Sequence, residues 1–284
     1  MPFASLWWLP LAISFLPAPE TTGFKIVVQS GVPTNLTHRT TYIQPDRMRT
    51  EYRNSFGGRH GTEPVYGPRL ARIVRCDLGQ SFELNLETSE YTSTPYPPKP
   101  FTEEEIKARG LESLAISTPK NPTMRIEVKT SDTGERKEIF GHTARHVITT
   151  TTQTRLAGSN AEPQETVTDG WYIDFDQRLS CDPKPTAGAH GYVSGYLSAG
   201  SGRQLEKPEF VMIGERETGF PLESTMTAQS PSNLPDRTIA NFETRVIQFE
   251  EGPLDPTLFE IPPGFKLVDR IERNPPPSAL GSQP

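Results

Sequence analysis

The chain of 284 residues carries a formal net charge of −6 at pH 7, with a sequence pI of about 5.5. Its charges are interspersed and form no basic patch, which argues against a nucleic-acid surface. The 29 prolines and 22 glycines suit strands joined by turns better than helices, and the length fits one large all-β domain or two small ones.

The first 21 residues differ from the rest of the chain. Residues 3–18 are uncharged and mostly large and apolar, but they are short for a membrane span and contain Pro10 and Pro17. No basic residue precedes them, and no clean A-x-A cleavage site follows. We predict that residues 1–21 form a secretory signal peptide, with an uncleaved N-terminal anchor as the alternative, and that the protein is exported to the periplasm or cell envelope.

From residue 22 onward, apolar and polar side chains alternate with period two. Between Met124 and Thr130, for example, Met124, Ile126 and Val128 alternate with charged residues. Such alternation is typical of antiparallel strands with one buried face. The sequence predicts strands over Phe24–Ser30, Leu36–Ile43, Arg47–Arg53, Leu70–Arg75, Ser81–Glu87, Met124–Thr130, Glu135–Phe140, Val167–Phe175, Glu209–Ile213, Leu222–Ala228 and Ile239–Glu250.

Turn and cap signals separate these strands. The triplet QPD after Ile43, TSDTGE after Lys129 and TDG before Trp171 predict turns. A helix is predicted after Thr102, which has a glutamate three residues on as in a capping box. The glycine-rich residues 184–207 predict a long loop or flap. Residues 22–272 are therefore predicted to form one β domain, followed by a disordered tail over 273–284.

The chain has two cysteines, Cys76 and Cys181. In an exported chain, two cysteines are expected to close one disulfide. The alternative is a pair of unrelated thiols. A metal site built on two isolated cysteines has no support in the sequence.

The segment GHTARHVITTTTQTRL contains His142 and His146, which on a helix would be neighbours and could share a metal ion. The β-branched run that follows predicts a strand instead. On a strand, the two histidines share a face but lie about 13 to 14 Å apart, too far to bind one zinc ion. We predict partly buried, hydrogen-bonded imidazoles on the inner face, in a sealed core or in the lining of a pocket.

No pattern for catalysis emerges. Asp174 and Asp176 end a strand whose apolar face is Trp171, Ile173 and Phe175, so they are predicted to be surface aspartates rather than an acid/base pair. The chain has no G-x-S-x-G elbow, Walker A motif or dinucleotide-binding glycine pattern. We therefore predict a protein that is not an enzyme and binds no cofactor and no metal.

Several stretches resemble the LolA/LolB-like superfamily of lipoprotein carriers, and in particular its poorly characterised envelope members. TTYIQPDRMRTEYR resembles an early hairpin whose second strand presents basic residues around a Met. GHTARHVITTTTQ and DGWYIDFD resemble the central strand and the strand after it, and LFEIPPGFKLV resembles a closing strand with a Pro–Gly–aromatic ending. The resemblance extends over roughly residues 22–270.

The resemblance implies a mainly β (α+β) fold, in which one curved antiparallel sheet forms a half-open barrel with one or two helices or loops over its concave face. It implies a non-enzymatic envelope protein that binds a lipid or lipoprotein acyl chain; the alternative is a protein-interaction or stress-sensing module with an envelope protein partner. The expected apolar lining is Met48, Tyr52, Phe82, Leu84, Met124, Ile126, Val128, His146, Trp171 and Ile173.

Overall fold

A computed structural model describes residues 22–57, 64–98, 104, 121–159, 163–183, 207–229 and 238–274, with backbone alone for 56–57 and 238–240. The predicted signal peptide or anchor, most of the flap over 184–207 and nearly all of the predicted helix lie outside these residues. Of that helix only Glu104 is described.

The described residues are mainly β and form one sheet of 13 strands. The strands are β1 (Thr22–Val32), β2 (Asn35–Gln44), β3 (Arg47–Gly57), β4 (Pro64–Arg75), β5 (Gln80–Asn85), β6 (Glu90–Pro95), β7 (Met124–Ile139), β8 (His142–Arg155), β9 (Gln164–Ile173), β10 (Pro208–Ile213), β11 (Phe220–Gln229), β12 (Thr238–Pro253) and β13 (Lys266–Leu267). A 3-10 turn, Pro256–Phe259, precedes β13. Period-two alternation thus predicted the mainly β class and most of the strands correctly, but it missed β6 and divided β7 into two strands.

The strand order in the sheet is β10-β7-β8-β9-β11-β12-β1-β2-β3-β4-β5-β6-β13, and the sheet is not closed. The pairings between β7 and β6 in this order are antiparallel, as predicted. The two edge pairings, β10 with β7 and β13 with β6, are parallel, so the sheet is mixed rather than purely antiparallel. Neither edge strand directly follows its partner in the chain, so no hairpin forces the antiparallel direction.

Two of the predicted turns are wrong. The TSDTGE segment lies inside β7, where the register shifts between Asp132 and Arg136 and leaves extra residues opposite His146. Gly134 takes a left-handed backbone there (φ 86), and its N–H donates to Asp132 Oδ1 at 2.8 Å. The same residue types that make a turn therefore make a β-bulge, and the chain reverses only at Phe140 and Gly141. Similarly, the TDG triplet lies within β9, whereas the QPD turn is confirmed.

Two chain segments cover opposite faces of the sheet around β4. Ile73 packs with Leu254 and Phe259 from the chain end after β12, whereas its neighbour Val74 packs with Leu179. Because successive side chains of a strand point to opposite faces, these segments lie on different sides of the sheet. A third apolar cluster joins β1, β8, β9, β11 and β12, and its buried members are Ile26, Ala144, Ile173, Phe220, Leu222, Val246 and Phe249.

The predicted disulfide is confirmed. Cys76 and Cys181 are bonded, with 5.4 Å between their Cα atoms and 105 residues between them in sequence. The bond ties the segment after β9 to the end of β4, beside buried Leu179.

The C-terminal segment continues past β13 along the sheet. Ile271 is buried, and the Asn85 side-chain amide donates to the Glu272 carbonyl at 3.0 Å. Arg273, which was predicted to begin the disordered tail, forms an ion pair with Glu83. Residues 275–284 of that tail lie outside the described part of the chain.

Candidate functional site

The residues predicted to line one apolar cavity are divided between the two faces of the sheet. In β7–β9, Ile126 and Val128 are paired with Gln153 and Thr151, whereas His146 points to the other face of β8. His146 shares its face with Trp171, its register partner. Met124 lies with Ile126 and Val128, and Ile173 lies with Trp171, because residues two apart share a face.

The same division occurs in β3–β5. Met48 is opposite Val74, and Val74 is opposite Ser81, so Met48 and Tyr52 lie on one face. Phe82 and Leu84, which alternate with Ser81, lie on the other face. Four of the predicted lining residues are almost fully buried in packing, and they are Leu84, Met124, Ile126 and Ile173. The sheet therefore does not bring the predicted set together around one concavity.

A groove of about 380 Å³ crosses β2, β3 and β4. Its lining residues are Leu36, Thr37, His38, Glu51, Tyr52, Arg53, Tyr66, Arg69, Leu70 and Leu86. Tyr52 is the member of the predicted lining that this groove contains. The groove brings three leucines and a half-exposed tyrosine ring together from segments that are far apart in sequence.

Charged side chains at the groove are mostly held in ion pairs. Arg53 binds Glu87 at 2.6 Å, and Glu87 also accepts the backbone N–H of Arg69 at 3.2 Å. The hydrogen bond from Arg53 and, to a smaller extent, that from the Arg69 N–H lower the pKa of Glu87. Glu51 is bound to Arg49 at 2.6 Å. The groove thus has apolar walls, and most of the charged side chains at its edge are ion-paired. The side chains of His38 and Arg69 are exposed there.

The two histidines of the β8 segment have different environments. His142 is exposed, contrary to the prediction that it is partly buried, and its ring centroid lies 5.1 Å from that of Phe249. His146 is only 15% exposed and is hydrogen-bonded, as predicted. His142 differs because it begins β8 next to the hairpin turn, where little of the sheet extends beyond it.

His146 lies at the centre of a polar cluster. Its Nδ1 is 2.8 Å from a Glu135 carboxylate oxygen, and its Nε2 is 2.8 Å from Asp169. Its ring stacks on Trp171, with centroids 4.8 Å apart and planes inclined by 13°. The hydrogen bond to Asp169 and then that to Glu135 raise the pKa of His146 against the effect of burial. Sequence reasoning missed Glu135 because the β7 bulge, not simple alternation, brings it to the ring. It missed Asp169 because the TDG triplet was predicted to form a turn, whereas it lies within β9.

A second cation lies against the same tryptophan. Lys137 Nζ is 4.2 Å from the centroid of the Trp171 ring and 2.6 Å from Glu223. Trp171 therefore contacts cationic and ionisable side chains in addition to packing against the apolar cluster that contains Ile173. A ring face next to a cation is electrostatically favourable, which explains why a tryptophan fits this polar surrounding.

The strand-end aspartates are ion-paired, as expected for surface residues. Asp174 binds Arg145 at 2.6 Å. Asp176 binds Arg178 at 2.6 Å, and this contact lowers the pKa of Asp176 to about 2. A carboxylate whose pKa is lowered in this way, as that of Asp176 is by Arg178, is poorly suited to donate a proton at neutral pH.

Within the described ranges, no group of three or more His, Cys, Asp or Glu side chains is arranged to hold a metal ion. In the same ranges, no helix combines the length and apolar character needed to cross a membrane. No protein-family model matches the chain, and a search of curated proteins finds no match. The resemblance to LolA/LolB-like carriers thus stays a prediction.

Proposed function

We propose that this protein is a non-enzymatic, exported envelope protein that binds the acyl chain of a lipid or lipoprotein, and that the groove over β2, β3 and β4 is its binding site. The observation that carries the proposal is the apolar wall of this groove, formed by Leu36, Leu70 and Leu86 with the half-exposed ring of Tyr66. Ligand sites are typically concave, of a few hundred Å³, and mostly apolar with few polar groups.

A curved sheet, as in LolA/LolB-like carriers, is part of this proposal. Its support is contact between side chains of strands that are not neighbours. His142 of β8 and Phe249 of β12 have ring centroids 5.1 Å apart, although β9 and β11 lie between their strands. In a flat sheet, strands at that separation would be about 14 Å apart. Lys137 of β7 and Glu223 of β11 likewise meet at 2.6 Å, which favours a half-open barrel over a flat sheet.

Export is the second part of the proposal, and the disulfide supports it. The bond between Cys76 and Cys181 joins distant segments of the chain and has no free cysteine beside it among the described residues. Structural disulfides form and persist mainly in oxidising compartments. The uncharged apolar residues 3–18 fit the same compartment as a signal peptide or anchor.

The test is a fluorescence titration of the protein with a dansyl-labelled fatty acid. Leu86→Glu places a carboxylate against the apolar wall, so we expect at least tenfold weaker binding than in the wild type. Leu78→Glu is the matched control, because Leu78 is 53% exposed in the turn between β4 and β5 and lies outside the groove lining. It should bind like the wild type.

Thermal unfolding of both variants establishes that they are folded. Saturable binding that Leu86→Glu weakens and Leu78→Glu does not supports the groove as the site. No binding by folded wild-type protein would overturn the function. Binding that both variants retain would exclude this groove.

The edge of the sheet favours a second candidate function, a protein-interaction or stress-sensing module. Among the described strands, β10 pairs on one side alone, with β7, and its Met212 and Ile213 side chains are 40% and 42% exposed. An apolar edge strand is a template for a strand from another protein. On this alternative, Ile213→Lys abolishes capture of one specific envelope protein, and the dansyl fatty acid does not bind.

A further inference from the structure

His146 is hydrogen-bonded by a carboxylate at each ring nitrogen. Glu135 faces Nδ1 and Asp169 faces Nε2, both at 2.8 Å. A neutral imidazole has one N–H and one lone pair, whereas imidazolium has two N–H groups. Only the charged ring can therefore donate to both acids at once. Two contacts of 2.8 Å to carboxylates, one at each ring nitrogen, thus fit imidazolium.

A third side chain, that of Thr133, is within hydrogen-bond distance of only one of these ring nitrogens. Thr133 Oγ lies 3.1 Å from Nδ1 and also 3.3 Å from the His146 carbonyl oxygen. A hydroxyl both donates and accepts, so Thr133 is able to donate to Nδ1 when that nitrogen carries a lone pair. Neither Glu135 when ionised nor Asp169 when ionised has a proton to donate. Thr133 and Glu135 belong to the β7 bulge, and Asp169 belongs to β9.

The remaining charges around the ring come from neighbouring strands. Lys137 of β7 lies over Trp171 and pairs with Glu223 of β11, whose register partner on β12 is Arg245. The positive charge of Lys137 opposes protonation of His146, and the Glu223 carboxylate offsets that effect. Arg145, the preceding residue, is engaged by Asp174 and Glu217. Glu135 and Asp169 are the charged groups in direct contact with the ring.

We propose that His146 is a proton-controlled latch for the β7 bulge. As imidazolium, it ties Glu135 of the bulge and Asp169 of β9 together through one ring. On loss of a proton, it keeps Nε2–H and its bond to Asp169, and Nδ1 exchanges Glu135 for the hydroxyl of Thr133. The Glu135 carboxylate, 66% exposed, then turns to water and releases its end of the bulge.

The direction of the response follows from the raised pKa of His146. Below the ordinary histidine value of 6.5, the ring is charged in both folded and unfolded protein, and the latch contributes its full stabilisation. As the pH rises through the higher folded value, the ring loses its proton and this contribution disappears. The bulge is therefore held at pH values below the raised pKa of His146 and released above it.

The test is an NMR titration of the histidine ring nitrogens in the full chain, with His146→Gln identifying the His146 signals. The ¹⁵N shifts report both the pKa and the tautomer of the neutral ring. We expect a pKa above the ordinary value and a neutral form protonated at Nε2. Protonation at Nδ1 in the neutral form, or a pKa at or below the ordinary value, would overturn the latch.

Substitutions of the two exposed residues that contact Nδ1 of His146 provide the discriminating comparison. Glu135→Gln removes a charge that stabilises imidazolium, so it lowers the pKa of His146. Thr133→Val removes the donor that stabilises the neutral ring, so it raises that pKa. Opposite shifts support the proposed exchange. Shifts of the same sign, or none, contradict it, and the wild-type tautomer decides the matter if either variant fails to fold.

Discussion

The disulfide provides the sharpest prediction about stability. Replacing Cys76 and Cys181 together with Ala removes the covalent tie between the end of β4 and the segment after β9. That segment remains anchored by buried Leu179 and by the Ser180 N–H, which donates to the Pro45 carbonyl at 2.7 Å. The folded structure should therefore persist, and the loss should appear mainly as a lower free energy of unfolding.

The size of the loss follows from the length of the loop. For a sequence separation of 105 residues, the chain-entropy relation gives a stabilisation of about 5 kcal/mol at 25 °C. Measured values for native disulfides are about 2 to 5 kcal/mol, because the unfolded chain retains some structure. The expected loss for the double variant is therefore within this range. Reduction of the wild-type protein should give a similar value.

The assay is equilibrium unfolding in urea, followed by tryptophan fluorescence, for residues 22–284 of the oxidised wild type and the double variant. Ser180→Ala is the control, because it changes an exposed side chain next to Cys181 and keeps the disulfide. The control should match the wild type. A loss below about 1 kcal/mol in the double variant would refute the role assigned to this bond.

Three further changes test the fold and the latch. Phe259 is 1% exposed, so Phe259→Ala leaves a cavity in the core. It should lower the free energy of unfolding, measured in urea, by about 3 to 5 kcal/mol. Gly23→Ala should lower Tm, because its Cβ would lie 2.5 Å from the Ile43 carbonyl oxygen. The stability difference between wild type and His146→Gln should be largest below the ordinary histidine pKa of 6.5 and shrink as the pH rises through the raised folded pKa, as unfolding at a series of pH values would show.

Most of the strands could be predicted because successive side chains of a strand point to opposite faces, so apolar residues recur at every second position of the sequence. The turn chemistry was less specific. Asp132 and Gly134 use the same side-chain hydrogen bond and left-handed glycine in a bulge that they would use in a hairpin turn. Local residue types therefore fix the backbone shape near Gly134, but only pairing with β8 decides whether the chain reverses there.

The candidate site was less predictable because a sheet has two faces. Alternation shows which residues of one strand share a face, but the register between strands decides which face of the next strand joins them. Phe82 and Met48 were thus grouped together although Val74 and Ser81 put them on opposite sides. The apolar lining of the groove includes Leu36 of β2, Tyr66 of β4 and Leu86 just after β5, which share no short motif.

The most direct test of the proposed function is photocrosslinking of the full chain with a diazirine-bearing fatty acid, followed by peptide mapping with mass spectrometry. We expect unlabelled fatty acid to compete with the labelling, and we expect the modified peptides to contain Leu36, Tyr66 or Leu86. Labelling confined to peptides outside the groove, or no more labelling than with a short diazirine lacking an acyl chain, would contradict it.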